Sequence, residues 1–456
     1  MELEEILERM AVLLDERRWT EVRQTLDGLP VQDIAWLLLQ LEKSRRIFLF
    51  KLLPRGRASE VFAYFSAENQ DALLQDMTDQ ETREVIAGLS PDDRTALFEE
   101  LPAQATQRLL ELLPPGAQRE TRQLLGYPEE SVGRLMTPDY LAVRADWTVA
   151  RSLQHIRNHR EKAETVNVIY VTNPQGRLLD ALTIRQLIVA EPETEIEALM
   201  DHHFICVSAF DDREKAVETV QHYDLTALPV VDSDGILLGI VTLDDVMDVA
   251  ELEATEDFHK MGSVSALNLS MRDAKPSLLY RRRVGWLLIL VAINMLSGQV
   301  IAAYEEIIEA IFVLALFMPL VVDTSGNAGT QAATLMVRAL ATGDVKPSDW
   351  LRLWGKEASV ALALGLTIGA AVWLVGLWRA DGNFDIALAM AVAMVLVVFM
   401  GSMIGMLLPF ILARFNLDPA TASAPLITSI ADVAGFVIYF AVAAAMLGHL
   451  LPGAAG

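Results

Sequence analysis

The chain changes character near residue 284, and that change limits its folds more than any other feature. From there to residue 448 charges are sparse and long apolar runs follow one another. A helix that crosses a bilayer needs roughly 20 apolar residues. Five runs meet that length, at residues 284–304, 310–337, 353–378, 386–412 and 421–447. One such run could be a buried helix of a soluble protein, but five at this spacing predict a five-helix transmembrane domain over residues 284–456.

Basic residues orient such spans, because positively charged loops stay on the cytoplasmic side. Arg281, Arg282 and Arg283 precede the first run, Arg338, Lys346, Arg352 and Lys356 separate the second from the third, and Arg414 follows the fourth. With five spans these groups share one side, while the acid-rich set Glu305, Glu306, Glu309, Arg379, Asp381 and Asp385 takes the other. The expectation is a multi-pass protein of the cell (inner) membrane, in contact with lipid, with its N-terminus cytoplasmic and its C-terminus outside. Residues 1–18 read as a charged helix without the basic and apolar regions of a signal peptide, which agrees.

Two places in the apolar half carry chemistry. The second run is interrupted by Pro319-Leu-Val-Val-Asp323-Thr324-Ser-Gly326-Asn327-Ala-Gly329-Thr330-Gln331. Proline removes an amide and kinks a helix, and polar groups at membrane depth persist only where protein or water surrounds them. Asp323, Thr324, Asn327, Thr330 and Gln331 offer oxygen, the ligand of hard cations, and Gly326 permits close backbone approach. A packing motif of small residues is the plainer reading, but packing needs fewer polar side chains. The fifth run holds Asp432 near its middle. A carboxylate there costs at least ~2.5–3.5 kcal/mol, and no Lys or Arg lies at matching depth. Either the acid is protonated and bonded to a neighbouring hydroxyl, or a mobile cation supplies the missing charge. Pro425 is expected to free a backbone carbonyl at Thr428 as a further ligand.

The preceding 283 residues carry most of the formal net charge of -24. Such an acidic half argues against nucleic acid and for cations, although a solvated acidic face is the ordinary explanation. The single cysteine, Cys206, rules out an intrachain disulfide. No general acid and base are paired on an evident scaffold, so an enzyme is not expected.

Residues 128–250 read as two α/β units, 128–192 and 193–250. In the second, residues 214–223 form a helix, Ala227-Leu-Pro229-Val-Val-Asp232 a buried strand, Asp234-Gly235 a turn and Leu237-Leu-Gly239-Ile-Val-Thr242 another strand, with a helix from Asp244. In the first, the strands are 167–172 and 178–183, the turn is Pro174-Gln-Gly176 and the helix 184–189. This resembles a tandem pair of cystathionine β-synthase (CBS) domains. In that family a Thr-x-x-Asp after the last strand often holds the ribose and phosphate of an adenine nucleotide. The second unit has Thr242 and Asp245, whereas the first has Thr183 and then Gln186 where the carboxylate belongs. The resemblance admits ATP, with Tyr170, Arg185 and Thr242 as contacts, and equally a CBS pair that serves only as a dimer module.

Residues 1–127 show a helical repeat. Segments beginning at Ile34, Ala58, Thr82 and Thr106 align at 24-residue spacing, and those beginning at Phe48, Ala72 and Ala96 align between them. Two short helices per unit predict a small α-helical solenoid, with a cap at Ser90-Pro91.

The multidomain combination, with Asp323-Thr-Ser-Gly-Asn-Ala-Gly-Thr-Gln331, Arg338-Ala-Leu-Ala-Thr342, Leu417-Asp418-Pro419-Ala420 and Asp432, resembles the MgtE family of magnesium channels. The resemblance implies a homodimer whose pore lies between subunits and is lined by spans two and five, with Asp432 and the Thr428 carbonyl as metal ligands. Asp323, Thr324, Gly326, Asn327, Thr330, Gln331 and Pro425 would line it. It further implies that intracellular Mg²⁺ bridges cytosolic acids and closes the pore. The matching acids are Glu60, Asp92, Glu214, Asp224, Asp245, Asp248, Glu253, Glu256, Asp257 and Asp418, with residues 251–283 as the plug and connecting helix. Residues 205–262 hold 14 Asp or Glu against 3 Lys or Arg, which suits such a sensor. Mn²⁺ or Co²⁺ as the ion, and a membrane-anchored nucleotide sensor without transport, remain the alternatives.

Overall fold

The computed structural model describes residues 2–450 apart from Arg17, Pro102, 265–275 and Asn416. It divides into two units, Met1–Leu252 and Glu253–Gly456.

The first unit opens with short helices: α1 (Glu2–Asp15), α2 (Trp19–Asp27), α3 (Val31–Gln40), α4 (Lys43–Leu52), α5 (Arg55–Ala63), α6 (Ala67–Gln75), α7 (Asp79–Ala87), α8 (Pro91–Glu100), α9 (Ala103–Leu112) and α10 (Pro115–Leu124). From α3 onward, odd and even helices each restart every 24 residues. The same rhythm governs burial. Leu37, Val61, Val85 and Leu109 are buried, as are Leu38, Phe62, Ile86 and Leu110, and then Leu41, Phe65, Leu89 and Leu113. Each such side chain contributes about 1.5–3 kcal/mol, and neighbouring repeats share the cost of ordering because α3 packs on α5, α5 on α7 and α7 on α9. Local chemistry sets the boundaries. Thr78 and Glu81 form a reciprocal capping box at α7, and the Ser90 side chain accepts from the Asp93 amide at α8, with Pro91 just inside.

After α11 (Val132–Leu135) come two units of one plan. The first is β1 (Ala142–Val143), α12 (Val149–His159), β2 (Val168–Thr172), β3 (Leu178–Thr183) and α13 (Ile184–Val189). The second is β4 (Val207–Ser208), α14 (Arg213–Tyr223), β5 (Ala227–Val231), β6 (Leu237–Thr242) and α15 (Leu243–Met261). Each sheet is three-stranded, with a short parallel strand beside an antiparallel hairpin. Sequence reading misses β1 and β4, since two residues carry no alternation to read. The hairpin turns need Gly176 and Gly235 at φ 84 and 77, a region open to glycine. The two turns also pair, the Leu178 amide donating to the Gly235 carbonyl and the Leu237 amide to that of Gly176, both at 3.0 Å.

Helix α15 is unbroken from Leu243 to Met261. The expected boundary between the CBS pair and a separate helix at 250/251 therefore falls inside one helix, because nothing in Val-Ala-Glu-Leu-Glu stops it. Of the expected connecting segment, residues 265–275 lie outside the described residues.

The second unit contains α16 (Pro276–Ala303), α17 (Glu305–Ala310), α18 (Val313–Ala341), α19 (Trp350–Arg379), α20 (Phe384–Arg414) and α21 (Ala424–Leu447). Among the described residues four helices, α16, α19, α20 and α21, are long and apolar enough to cross a membrane. α18 matches them in length at 29 residues but carries the polar residues of Asp323–Gln331 in its middle. The interruption expected in this run is not a break: α18 passes through Pro319 and Asp323–Gln331 as one helix. Its polar groups are side chains, which leave the backbone ladder intact, and α18 packs along α20 and α21. Glycine makes that packing possible. A Cβ on Gly405 would overlap the Gly329 carbonyl, and one on Gly401 that of Ser325, so these backbones touch directly.

Candidate functional site

α18 presents two faces. Ser325, Gly326, Ala328, Gly329, Ala332 and Ala333 are buried in the helix packing. Asp323, Asn327, Gln331, Thr334 and Arg338 lie on the other side, at spacings that place them along one stripe of the helix. Expected lining residues are thereby sorted. Asp323, Asn327 and Gln331 belong to the open stripe, and Thr324 and Thr330 lie at its margin. Gly326 belongs to the packing, where an added Cβ would come within 2.7 Å of Thr428 Cγ2.

α21 carries Asp432, which is half-buried. Its Oδ1 is buried with no hydrogen-bond donor, as is the Thr330 hydroxyl, among the described residues. A buried unsatisfied carboxylate oxygen costs more than a neutral one. The carbonyl expected at Thr428 is corrected. Pro425 sits in the first turn of α21, where its missing amide would have been unpaired anyway, and Thr428 lies within a continuous helix. The Thr428 hydroxyl donates to the Pro425 carbonyl at 3.0 Å.

The first unit gathers acids where the first turns of α8 and α15 come within electrostatic range. Asp92 is buried and its Oδ1 has no partner among the described residues. Burial raises its pKa, and its charge acts on its neighbours. Burial, then Asp92, pushes Asp93 up to about 6. Asp245 is pushed to about 8 by the same two causes in that order. Partial burial and Asp92 push Glu164 to about 7. Burial also raises Asp139 and Asp248, the latter helped by Asp244. Sequence reading names Asp92, Asp245 and Asp248 here but misses Asp93, Asp244, Asp139 and Glu164. The Asp92-Asp93 and Asp244-Asp245 doublets at two helix starts are the available signal. Glu60 is exposed on α5 and does not enter this mutual set. Glu214 is exposed in the first turn of α14. Asp224 caps the other end of α14 at φ 51 and lines a cavity of about 450 Å³ with Leu225, Leu243 and Met247. Arg94, buried beside this region, donates to Glu120 at 2.7 Å and to Thr121 at 2.8 Å. Among the described residues no three His, Cys, Asp or Glu side chains are close enough to hold a metal. Coordination here would need movement or water, and the orphaned oxygen and the all-carboxylate set suit a hydrated hard cation.

In the second unit, Lys260 joins two of the expected sensor acids. Its Nζ is 2.6 Å from Glu256 Oε1 and 2.5 Å from Asp418 Oδ2. Asp257 is raised by burial and then by Asp418, and Glu253 lies on the same helix. A reading confined to acids overlooks this lysine.

The nucleotide candidates separate as well. Tyr170 is fully buried and meets Tyr140 edge to face, and its hydroxyl has no hydrogen-bond partner among the described residues. Arg185 lies in the first turn of α13. Thr242 donates to Asp245 at 2.7 Å. Gln186 accepts from the Thr183 amide and hydroxyl at 2.7 and 2.8 Å, a capping box that accounts for it without a ligand.

Comparison with known proteins follows these divisions. Residues 318–442 match the MgtE divalent cation transporter model, 29–130 the MgtE intracellular N domain, and 132–193 and 196–251 the CBS domain. The magnesium transporter MgtE of Thermus thermophilus is 39% identical over 93% of this chain and 95% of its own length. That of Bacillus subtilis is 30% identical over 99% of both. A crystal structure of the cytosolic domain of the Mg²⁺ channel MgtE in complex with ATP matches 53% of this chain and 99% of its own, at 36% identity and a TM-score of 0.52. This chain belongs to the MgtE family of divalent cation transporters, membrane proteins that move ions and are not enzymes.

Proposed function

We propose that the protein takes up Mg²⁺ across the cell membrane, through a pore between two copies of the chain. The observation that carries this reading is the buried, unpartnered oxygen of Asp432 on one helix together with the open polar stripe of Asp323, Asn327 and Gln331 on the helix packed against it. α18 acts as the fifth span, its stripe turned to water and not to lipid, with the N-terminus cytoplasmic and the C-terminus outside. Mg²⁺ dehydrates reluctantly and is held by one or two carboxylates with several waters kept. Two Asp432 side chains across a two-fold axis make such a site for a hydrated ion. The naming of two relatives as magnesium transporters supports Mg²⁺ as the ion carried.

The repeat domain and CBS pair act as the sensor. Ionised together, Asp92, Asp93, Asp244 and Asp245 repel, so their compact arrangement gains when cations enter it and the equilibrium shifts with intracellular Mg²⁺. High Mg²⁺ then favours the closed pore. A relative's cytosolic domain crystallised with ATP, which supports nucleotide binding near Thr242, Asp245 and Arg185.

Growth rescue tests the transport reading. In a bacterial strain lacking magnesium uptake, the intact chain restores growth at low external Mg²⁺ and Asp432→Ala does not. Equal rescue by both would remove Asp432 from the path, and no rescue by the intact chain would overturn Mg²⁺ uptake.

A further inference from the structure

The last turn of α15 is fastened to the start of α21 by contacts that contain no metal. Lys260 reaches Asp418 and Glu256 at 2.5 and 2.6 Å. Asp418 is itself fixed, its Oδ1 accepting from the Ala420 amide at 2.8 Å and so shaping the turn Pro419–Thr421. Met261 packs beside Ala333, Val337, Ala420, Ala422 and Ile427. The Ser263 hydroxyl donates to that of Ser423, the cap residue of α21, at 2.6 Å. The ion pairs, the apolar contact and the hydroxyl bond fall within four consecutive residues, and α21 is the helix that carries Asp432.

Charge makes Lys260 the decisive member. The groups around this joint are Glu253, Glu256, Asp257 and Asp418 on the negative side, with His259 next to Lys260. Docking acids onto Asp418 brings like charges together, which is unfavourable unless a cation lies between. Here that cation is covalently part of the helix that docks.

We infer that Lys260 is a built-in cation that positions the end of α15 on the start of α21, so that this joint stays closed without divalent metal. It deepens the gating reading and rests on that reading only for what docking does to flux. Metal-driven movement is thereby assigned to the acids around Asp92, and the α15 end serves as the fixed point through which it reaches α21.

Cross-linking tests this on the full-length protein in membranes. With Cys206→Ser as background, Ser263→Cys and Ser423→Cys place thiols at the hydroxyl contact, and diamide oxidises them to a disulfide. The expected result is cross-linking in EDTA as fast as in millimolar Mg²⁺. Lys260→Met slows the EDTA reaction roughly three- to fivefold, the scale of a partly exposed ion pair. Lys260→Arg, which keeps the charge, retains the rate, and Asp418→Asn slows it as Lys260→Met does. Loss of cross-linking in EDTA with Lys260 present, an unchanged rate in Lys260→Met, or equal slowing in Lys260→Met and Lys260→Arg would each overturn the inference. Because the readout is docking, failure of the chain to carry Mg²⁺ would refute the transport reading and leave this result standing.

Discussion

The Ser325 hydroxyl donates to the Ala431 carbonyl at 3.3 Å, joining α18 to α21 one residue before Asp432. Ser325 is fully buried, so the bond is shielded from water and holds the acid in register with the polar stripe of α18. Ser325→Ala removes it without adding volume. The expected loss is about 1 kcal/mol, read as a lower Tm of the detergent-solubilised protein, with Mg²⁺ uptake reduced but present. An unchanged Tm would mean that glycine packing alone sets the register.

Glycine packing makes a sharper prediction. Gly405 lies against the Gly329 backbone, whereas Gly298 has open space where a side chain would go. Gly405→Ala should destabilise by about 1–3 kcal/mol through overpacking, seen as lower yield and an earlier thermal transition. Gly298→Ala should stay within about 0.5 kcal/mol of the parent. Similar behaviour of the two would contradict the close approach of α18 and α20.

The acids near Asp92 give a pH dependence. Asp93, Glu164 and Asp245 are pushed to about 6, 7 and 8, above their ordinary 3.8, 4.5 and 3.8. A carboxyl whose pKa is raised on folding binds more protons folded than unfolded. Its favourable contribution is therefore complete below the ordinary pKa and lost as pH rises through the raised one. Without divalent ions, limited proteolysis of the first unit should be slow at pH 5 and faster at pH 9, and millimolar Mg²⁺ should slow it again at pH 9. Digestion that is equal at both pH values in EDTA would count against the cluster.

Much of this fold is legible in the order of the residues. The 24-residue repeat is visible because Leu37, Val61, Val85 and Leu109 recur in one chemical type, and β3, β6 and α13 can be bounded because turn residues flank alternating runs. Other features resist such reading. The polar residues of α18 look like a break in a linear sequence, but a helix sorts Asp323, Asn327 and Gln331 to one face and Gly326 and Gly329 to the other. Lys260 is one basic residue among many acids, and its importance depends on Asp418, 158 positions away in the chain.

In the proposed pore Asp432 faces the ion. The most direct measurement is Mg²⁺ flux into proteoliposomes containing the full-length protein or its Asp432→Asn variant, which keeps the shape and removes the charge. The expected result is rapid flux for the parent and loss of most of it in Asp432→Asn, at equal protein incorporation. Flux in Asp432→Asn at the parental rate would contradict it.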